Sequence, residues 1–157
     1  MRFKGSKNNR NFFFIKEYLP NYINRWVEPF GGSFGMAQLL KERIGYSIYN
    51  DKDLETYEKY KDLADESYNL DWRDILDKFD DGKNFFYFDP PYYSKEFYYK
   101  IKFEDHEELC HRIKNLKSNF ILSYNNHHYI QHLYQNFNII NIPEPDFYHK
   151  NEIIIFK

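Results

Sequence analysis

Short runs of aromatic and β-branched residues recur along this chain, and segments of helical periodicity lie between them. The runs fall at 26–30, 46–50, 85–88, 119–124, 138–142 and 152–156, each of strand length and bounded by turn residues. Helical spacing marks 11–19, 34–42, 53–64, 74–79, 104–116 and 127–135. In the fifth of these, Leu109, Ile113 and Leu116 share a face and acids fill the first turn, as the helix dipole favours. Alternation of this kind predicts an α/β domain with a mostly parallel sheet and helices on both faces. Ligands of such sheets bind beyond the C-terminal ends of the strands, so the residues just after each run come first.

Two glycines follow the first run. Gly31 and Gly32, in the stretch Glu28-Pro29-Phe30-Gly31-Gly32-Ser33, let the backbone turn tightly and approach a ligand, with a helix start behind them. Twenty residues after Gly31, Asp51 ends the second run. An acid at that spacing meets a ribose hydroxyl pair in nucleoside-binding α/β folds. Asp71-Trp72 admits two accounts: a carboxylate and ring beside an adenine, or a helix-capping Asp with a core Trp.

The third run, Phe85 to Phe88, stops on Asp89-Pro90-Pro91-Tyr92. Neither proline has an N–H for a strand ladder, so the chain must leave the sheet here as a stiff elbow. The elbow suits one chemistry. An amine on an aromatic base is a poor nucleophile, because its lone pair is delocalised. Asp89 can accept one of its N–H bonds, the Pro90 carbonyl the other, and Tyr92 can stack on the base.

Length and composition set looser limits. A chain of 157 residues suits one domain, and a net charge of −2 neither requires nor excludes a nucleic-acid partner. Cys110 is the single cysteine, which excludes an internal disulfide and fits a reducing compartment. No apolar run reaches the length of a membrane span, and the first residues lack a signal peptide's apolar stretch, so an intracellular protein, cytoplasmic or in a host cell if viral, is expected. The 16 Tyr and 16 Phe fit an AT-rich genome as well as base stacking.

Taken together, Phe30 to Gly32 and Asp89-Pro90-Pro91-Tyr92 resemble the Dam-type adenine-N6 DNA methyltransferases, which use S-adenosylmethionine and release S-adenosylhomocysteine. The resemblance extends over nearly the whole chain. Phe3 to Lys7 is similar to that family's N-terminal cofactor element, Asn50-Asp51 to its ribose-binding position, and Asp71-Trp72 to its acidic-aromatic pair. Residues 103–109, 121–126 and 151–156 resemble the elements that follow the catalytic loop. The resemblance implies a Rossmann-like methyltransferase fold over 1–157 as one catalytic domain. It implies cofactor contacts from Phe3, Lys7, Glu28, Pro29, Phe30, Gly31, Gly32, Ser33, Asp51, Asp71 and Trp72. Asp89, Pro90, Pro91 and Tyr92 would be catalytic, with no metal.

Three departures stand out. Phe34 replaces a glycine of the family's loop, and Ser6 replaces one in the N-terminal element. Only 19 residues separate Asp51 from Asp71, where the family inserts a target-recognition region. Methylation of DNA with low sequence preference, duplex or single-stranded, is therefore expected, or recognition supplied by a homodimer or a specificity subunit. Alternatives are the same chemistry on RNA, or an inactive cofactor-binding subunit. Tyr93, Lys95, Tyr98 and Lys100, aromatics interleaved with lysines after the elbow, are candidate nucleic-acid contacts. His127-His128 is expected to start a helix, and Cys110 to lie in the core.

Overall fold

The computed structural model describes residues 9–95, 102–143 and 151–157. Seven strands form one sheet: β1 (Ile23–Glu28), β2 (Ile44–Asn50), β3 (Glu66–Tyr68), β4 (Phe85–Phe88), β5 (Asn119–Asn125), β6 (Asn138–Asn141) and β7 (Glu152–Phe156). Their order is β3-β2-β1-β4-β5-β7-β6. β1 to β5 run parallel, and β7 lies antiparallel between β5 and β6. The helices among the described residues are α1 (Asn9–Ile15), α2 (Gly35–Leu39), α3 (Leu54–Tyr60), α4 (Trp72–Phe79), α5 (His106–Lys114) and α6 (His128–Leu133).

The two-residue period of each strand divides the core into two layers. Val27, Ile48, Phe86, Phe88, Phe120, Leu122, Ile153 and Ile155 face α4, α5 and α6. Trp26, Tyr49, Tyr87, Ile121 and Ile154 face α1 and α2. In the second layer Trp26 stacks on Phe85 and Tyr87, at centroid distances of 5.8 and 5.4 Å. Such pairs add about 0.5–1.5 kcal/mol beyond the area they bury. β4 is thus covered on both faces, which is why its four residues are all aromatic.

The predicted elements are present, with several ends shifted, β1 most of all (Ile23–Glu28 against the expected 26–30), and with further differences. β3 was not foreseen: Glu66-Ser67-Tyr68 is a short, polar edge strand without apolar alternation, held by pairing to β2. α4 begins two residues before the predicted start, because Asp71 accepts the Arg73 N–H at 3.0 Å and caps it. The helices predicted at 11–19, 34–42 and 53–64 tighten into 3-10 turns at Lys16–Tyr18, Lys41–Arg43 and Lys61–Leu63. Residues 52–70 hold α3, one such turn and β3, so no further domain is inserted between β2 and α4.

Candidate active site

The chain leaves β1 toward β2 on one side of the sheet and returns to β4 on the other. The loops after β1 and β4 therefore part, opening a crevice where such folds bind ligands. Both the glycine turn and the proline elbow lie there.

The glycine turn is fastened to the end of β2 by four bonds. Gly31 N–H donates to the Asn50 carbonyl at 2.7 Å, and Gly32 N–H to Asp51 Oδ2 at 2.9 Å. Tyr49 O–H donates to the Gly32 carbonyl at 2.9 Å, and Asn50 Nδ2 to the Pro29 carbonyl at 2.9 Å. Asn50 also exchanges hydrogen bonds with the Leu70 backbone at 3.0 and 2.9 Å, so one buried amide joins the loops after three strands. Asp51 takes a further bond from Asp53 N–H at 2.9 Å. Burial pushes its carboxyl up, and the Asp53 and Gly32 N–H groups pull it back. Gly32 has φ +51°, and a Cβ there would meet nothing within 4 Å, so a ligand can lie against this backbone. Each Asp51 oxygen accepts one of these backbone bonds and keeps capacity for a sugar hydroxyl. The space at Gly32 and the remaining acceptor capacity of Asp51 fit a nucleoside cofactor.

Not every expected contact faces the crevice. Glu28 is 2 % exposed and accepts from Trp26 Nε1 at 2.7 Å. Burial holds its carboxyl well above the usual range; the Trp26 donor opposes this, the Asp89 charge adds to it, and the Ala37 N–H opposes it again. Pro29 is buried, while Phe30 and Ser33 are half-buried. Phe30 meets Phe103 edge-on at 5.5 Å and Trp72 at 6.1 Å. Trp72 is buried in the core beneath α4, and Asp71, besides capping that helix, pairs with Lys52 and Arg73 at 3.1 and 2.9 Å. Those ion pairs and N–H bonds hold the Asp71 carboxyl low against the opposing effect of burial, the largest single influence on it.

A pH test isolates Glu28. The unfolded chain releases this proton near the ordinary value of 4.5, whereas the fold retains it to higher pH. The folded state binds more protons in that window, so stability falls as pH rises above about 4.5. Glu28→Gln keeps the acceptor for Trp26 and removes the charge. The variant is expected to melt above the wild type at pH 8, with the gap closing toward pH 5. A gap independent of pH would contradict the burial account.

At the elbow, Asp89 is half-buried, Pro90 is buried and Pro91 half-buried. Tyr92 is 6 % exposed, its ring 6.2 Å from that of Tyr124. Tyr93, next in the chain, is half-buried, its backbone fixed by Asn125 Nδ2 donating to its carbonyl at 3.0 Å. Lys95 N–H closes the turn onto the Tyr92 carbonyl at 3.1 Å. Tyr98 and Lys100, like Phe3 and Lys7, lie outside the described residues. Cys110 is buried, and His127 caps α6, as expected from sequence. Asn50 is expected from sequence only as the neighbour of Asp51, and Tyr49 not at all, because nothing local marks a buried amide or phenol as a fastener of the turn.

Known structures share this architecture at low sequence identity. A tRNA (m1A58) methyltransferase from Aquifex aeolicus superposes with TM-score 0.61 at 14% identity, over 99% of this chain and 71% of that one. An rRNA methylase from Streptococcus thermophilus gives 0.59 at 10%, over 94% and 93%. A precorrin 8w decarboxylase from Methanobacterium thermoautotrophicum gives 0.61 at 14%, over 97% and 91%. These likenesses establish a Rossmann-like fold of the methyltransferase type and nothing finer. No curated protein matches the chain in sequence. The model of one family, the D12 class N6 adenine-specific DNA methyltransferases, matches residues 43–145, from the start of β2 past β6 and through both Asp51 and the elbow. With that match over most of its length, the chain belongs to the D12 class of N6 adenine-specific DNA methyltransferases.

Proposed function

We propose that this chain is a single catalytic domain that methylates adenine N6 in DNA with little sequence preference of its own. The observation that carries this reading is the pairing, across one crevice, of the fastened glycine turn with the Asp-Pro-Pro-Tyr elbow. Gly31, Gly32, Ser33 and Asp51 would hold the nucleoside portion of S-adenosylmethionine, with Phe30 alongside and Phe3 and Lys7 contributing from the N-terminal segment. Asp71 and Trp72 support this wall from below, as cap and core, and Glu28 and Pro29 support the turn. When bound, the cofactor supplies an electrophilic methyl group on a sulfonium.

The protein's work is to make the amine a nucleophile. Asp89 accepts one N6–H and the Pro90 carbonyl the other, which favours a tetrahedral nitrogen with its lone pair free. Pro91 stiffens the elbow, and Tyr92, packed on Tyr124, anchors it. The nitrogen–methyl bond would form as the sulfonium–methyl bond breaks, leaving S-adenosylhomocysteine as a neutral thioether, and the surplus N6 proton would pass to solvent. Base-edge reading requires a surface that enters a groove. Residues 52–70 provide no such domain. Selectivity would then come from the strand's own structure or from a partner, including a second copy of the chain.

The test is transfer from labelled S-adenosylmethionine to single-stranded DNA, duplex DNA and RNA, with products digested and identified by mass. N6-methyladenine is expected in DNA, in many sequence contexts. Product confined to one motif would overturn the low preference. Product on RNA alone would overturn the DNA assignment, and none on any polymer would favour an inactive subunit.

A further inference from the structure

Beside the elbow, three half-buried rings from two strand ends meet. Tyr93, one residue past the Asp-Pro-Pro-Tyr stretch, has its ring centroid 4.7 Å from His127 and 4.7 Å from Tyr129. Exposed His128 extends the group, 4.3 Å from His127. Tyr93 and Tyr129 pack against the core, and Tyr93 also meets buried His106 edge-on at 5.2 Å, but unlike Tyr92 and Tyr124 the three rings are only half-buried.

We propose that Tyr93, His127 and Tyr129 form a stacking shelf for an unpaired base next to the target adenine, and that the substrate is single-stranded DNA. The proposal rests on the reading above that this elbow is the site of transfer. Each ring is held in place before any ligand arrives. His127 Nδ1 accepts the Tyr129 N–H at 3.1 Å, which puts the ring proton on Nε2 and fixes the imidazole at the start of α6. Burial and the neighbouring His128 lower its pKa, which favours the neutral ring. Tyr129 O–H donates to Glu107 at 2.5 Å. Asn125 fixes the backbone of Tyr93, and Ser94 then turns the chain away with φ +57°.

Such a shelf rewards only an unpaired base. In a duplex the base faces are covered by their neighbours, and edges alone remain to be touched. The surroundings favour a base over a phosphate or a cation. Glu104, Asp105, Glu107 and Glu108 line a cavity of about 350 Å³ with Tyr93 and Tyr129. Their charges repel phosphate, so a strand reaches the shelf base first. They are also already engaged: Glu104 with Lys102, Asp105 and Glu108 with Arg73 at 2.8 and 2.7 Å, and Glu107 with Tyr129.

The test is binding rather than turnover. A short oligonucleotide carries one adenine with 2-aminopurine beside it, and its fluorescence is followed in the presence of S-adenosylhomocysteine. The expected result is quenching on binding of the single strand, with the matching duplex bound at least about tenfold more weakly. His127→Asn keeps an acceptor for the α6 cap and removes the ring; with Tyr129→Leu it should weaken single-strand binding about tenfold or more. Thermal melting checks that the variants fold, and His127→Asn alone serves if the pair does not. Duplex bound as tightly, RNA bound more tightly, unchanged affinity in folded variants, or no binding of the single strand would each overturn the proposal. Failure of methyl transfer on every polymer would count against the functional reading instead, since binding needs no chemistry.

Discussion

Asp89→Ala is expected to slow methyl transfer by about 10²–10³-fold or more, with cofactor affinity nearly unchanged. The carboxylate follows the end of β4, whereas the glycine turn and Asp51, proposed to hold the nucleoside, follow β1 and β2. Its loss removes an acceptor aimed where positive charge gathers on the amine, and a water in its place is not preorganised. Single-turnover transfer to a single-stranded oligonucleotide gives the rate, and calorimetry with S-adenosylhomocysteine gives the affinity. A parallel loss of both would mean that Asp89 holds the crevice together and is not a catalytic residue. An unchanged rate would remove it from the mechanism.

Gly31→Ala is expected to cost both stability and cofactor binding. A Cβ at this position would stand 2.2 Å from Tyr49 Cε2 and 2.9 Å from the Asn50 carbonyl. Neither neighbour can yield cheaply. The Tyr49 ring is fully buried, lies 5.2 Å edge-on from Phe34, and is tied through its hydroxyl to Gly32. Overpacking of this kind costs about 1–3 kcal/mol. Opening the turn also removes the bond between Gly31 and Asn50 and displaces Gly32 from Asp51. A binding loss of the same size weakens affinity by about 5–150-fold. Thermal melting and calorimetry read the two effects separately. Gly32→Ala is the control: it meets open space and carries only the strain of φ +51°, so its melting temperature should fall less. Equal melting of the Gly31 variant and the wild type would refute the steric account.

Much of the fold was legible because each layer rests on short-range pattern. β4 and β7 were bounded correctly, since an aromatic or isoleucine run between turn residues has one economical conformation in a covered sheet. β3 was missed because Glu66-Ser67-Tyr68 is a strand only through its partner β2, and no local preference announces it. The direction of β7 was equally hidden: Ile153, Ile154 and Ile155 bury well in either orientation, and its place between β5 and β6 decides it.

The site divides in the same way. Gly31, Gly32, Asp51 and the Asp89 elbow could be picked out in sequence because their chemistry needs those residue types at strand ends, where turn geometry is local. Glu28 looked equally chemical, yet its surroundings make it a buried acid on Trp26, while Asp71 and Trp72, for which the sequence left two accounts open, are a helix cap and a core ring. Tyr92 and Tyr93 are adjacent and alike in sequence, but one is buried against Tyr124 and the other meets His127 and Tyr129. The sequence by itself determined the alternating α/β order and marked the turn and the elbow, because runs and turn residues are set by near neighbours, and the methyltransferase character came from the resemblance of those motifs to a known family. Only the tertiary structure decided which acids are buried and which rings pack together, because burial and ring contacts arise between residues far apart in the chain.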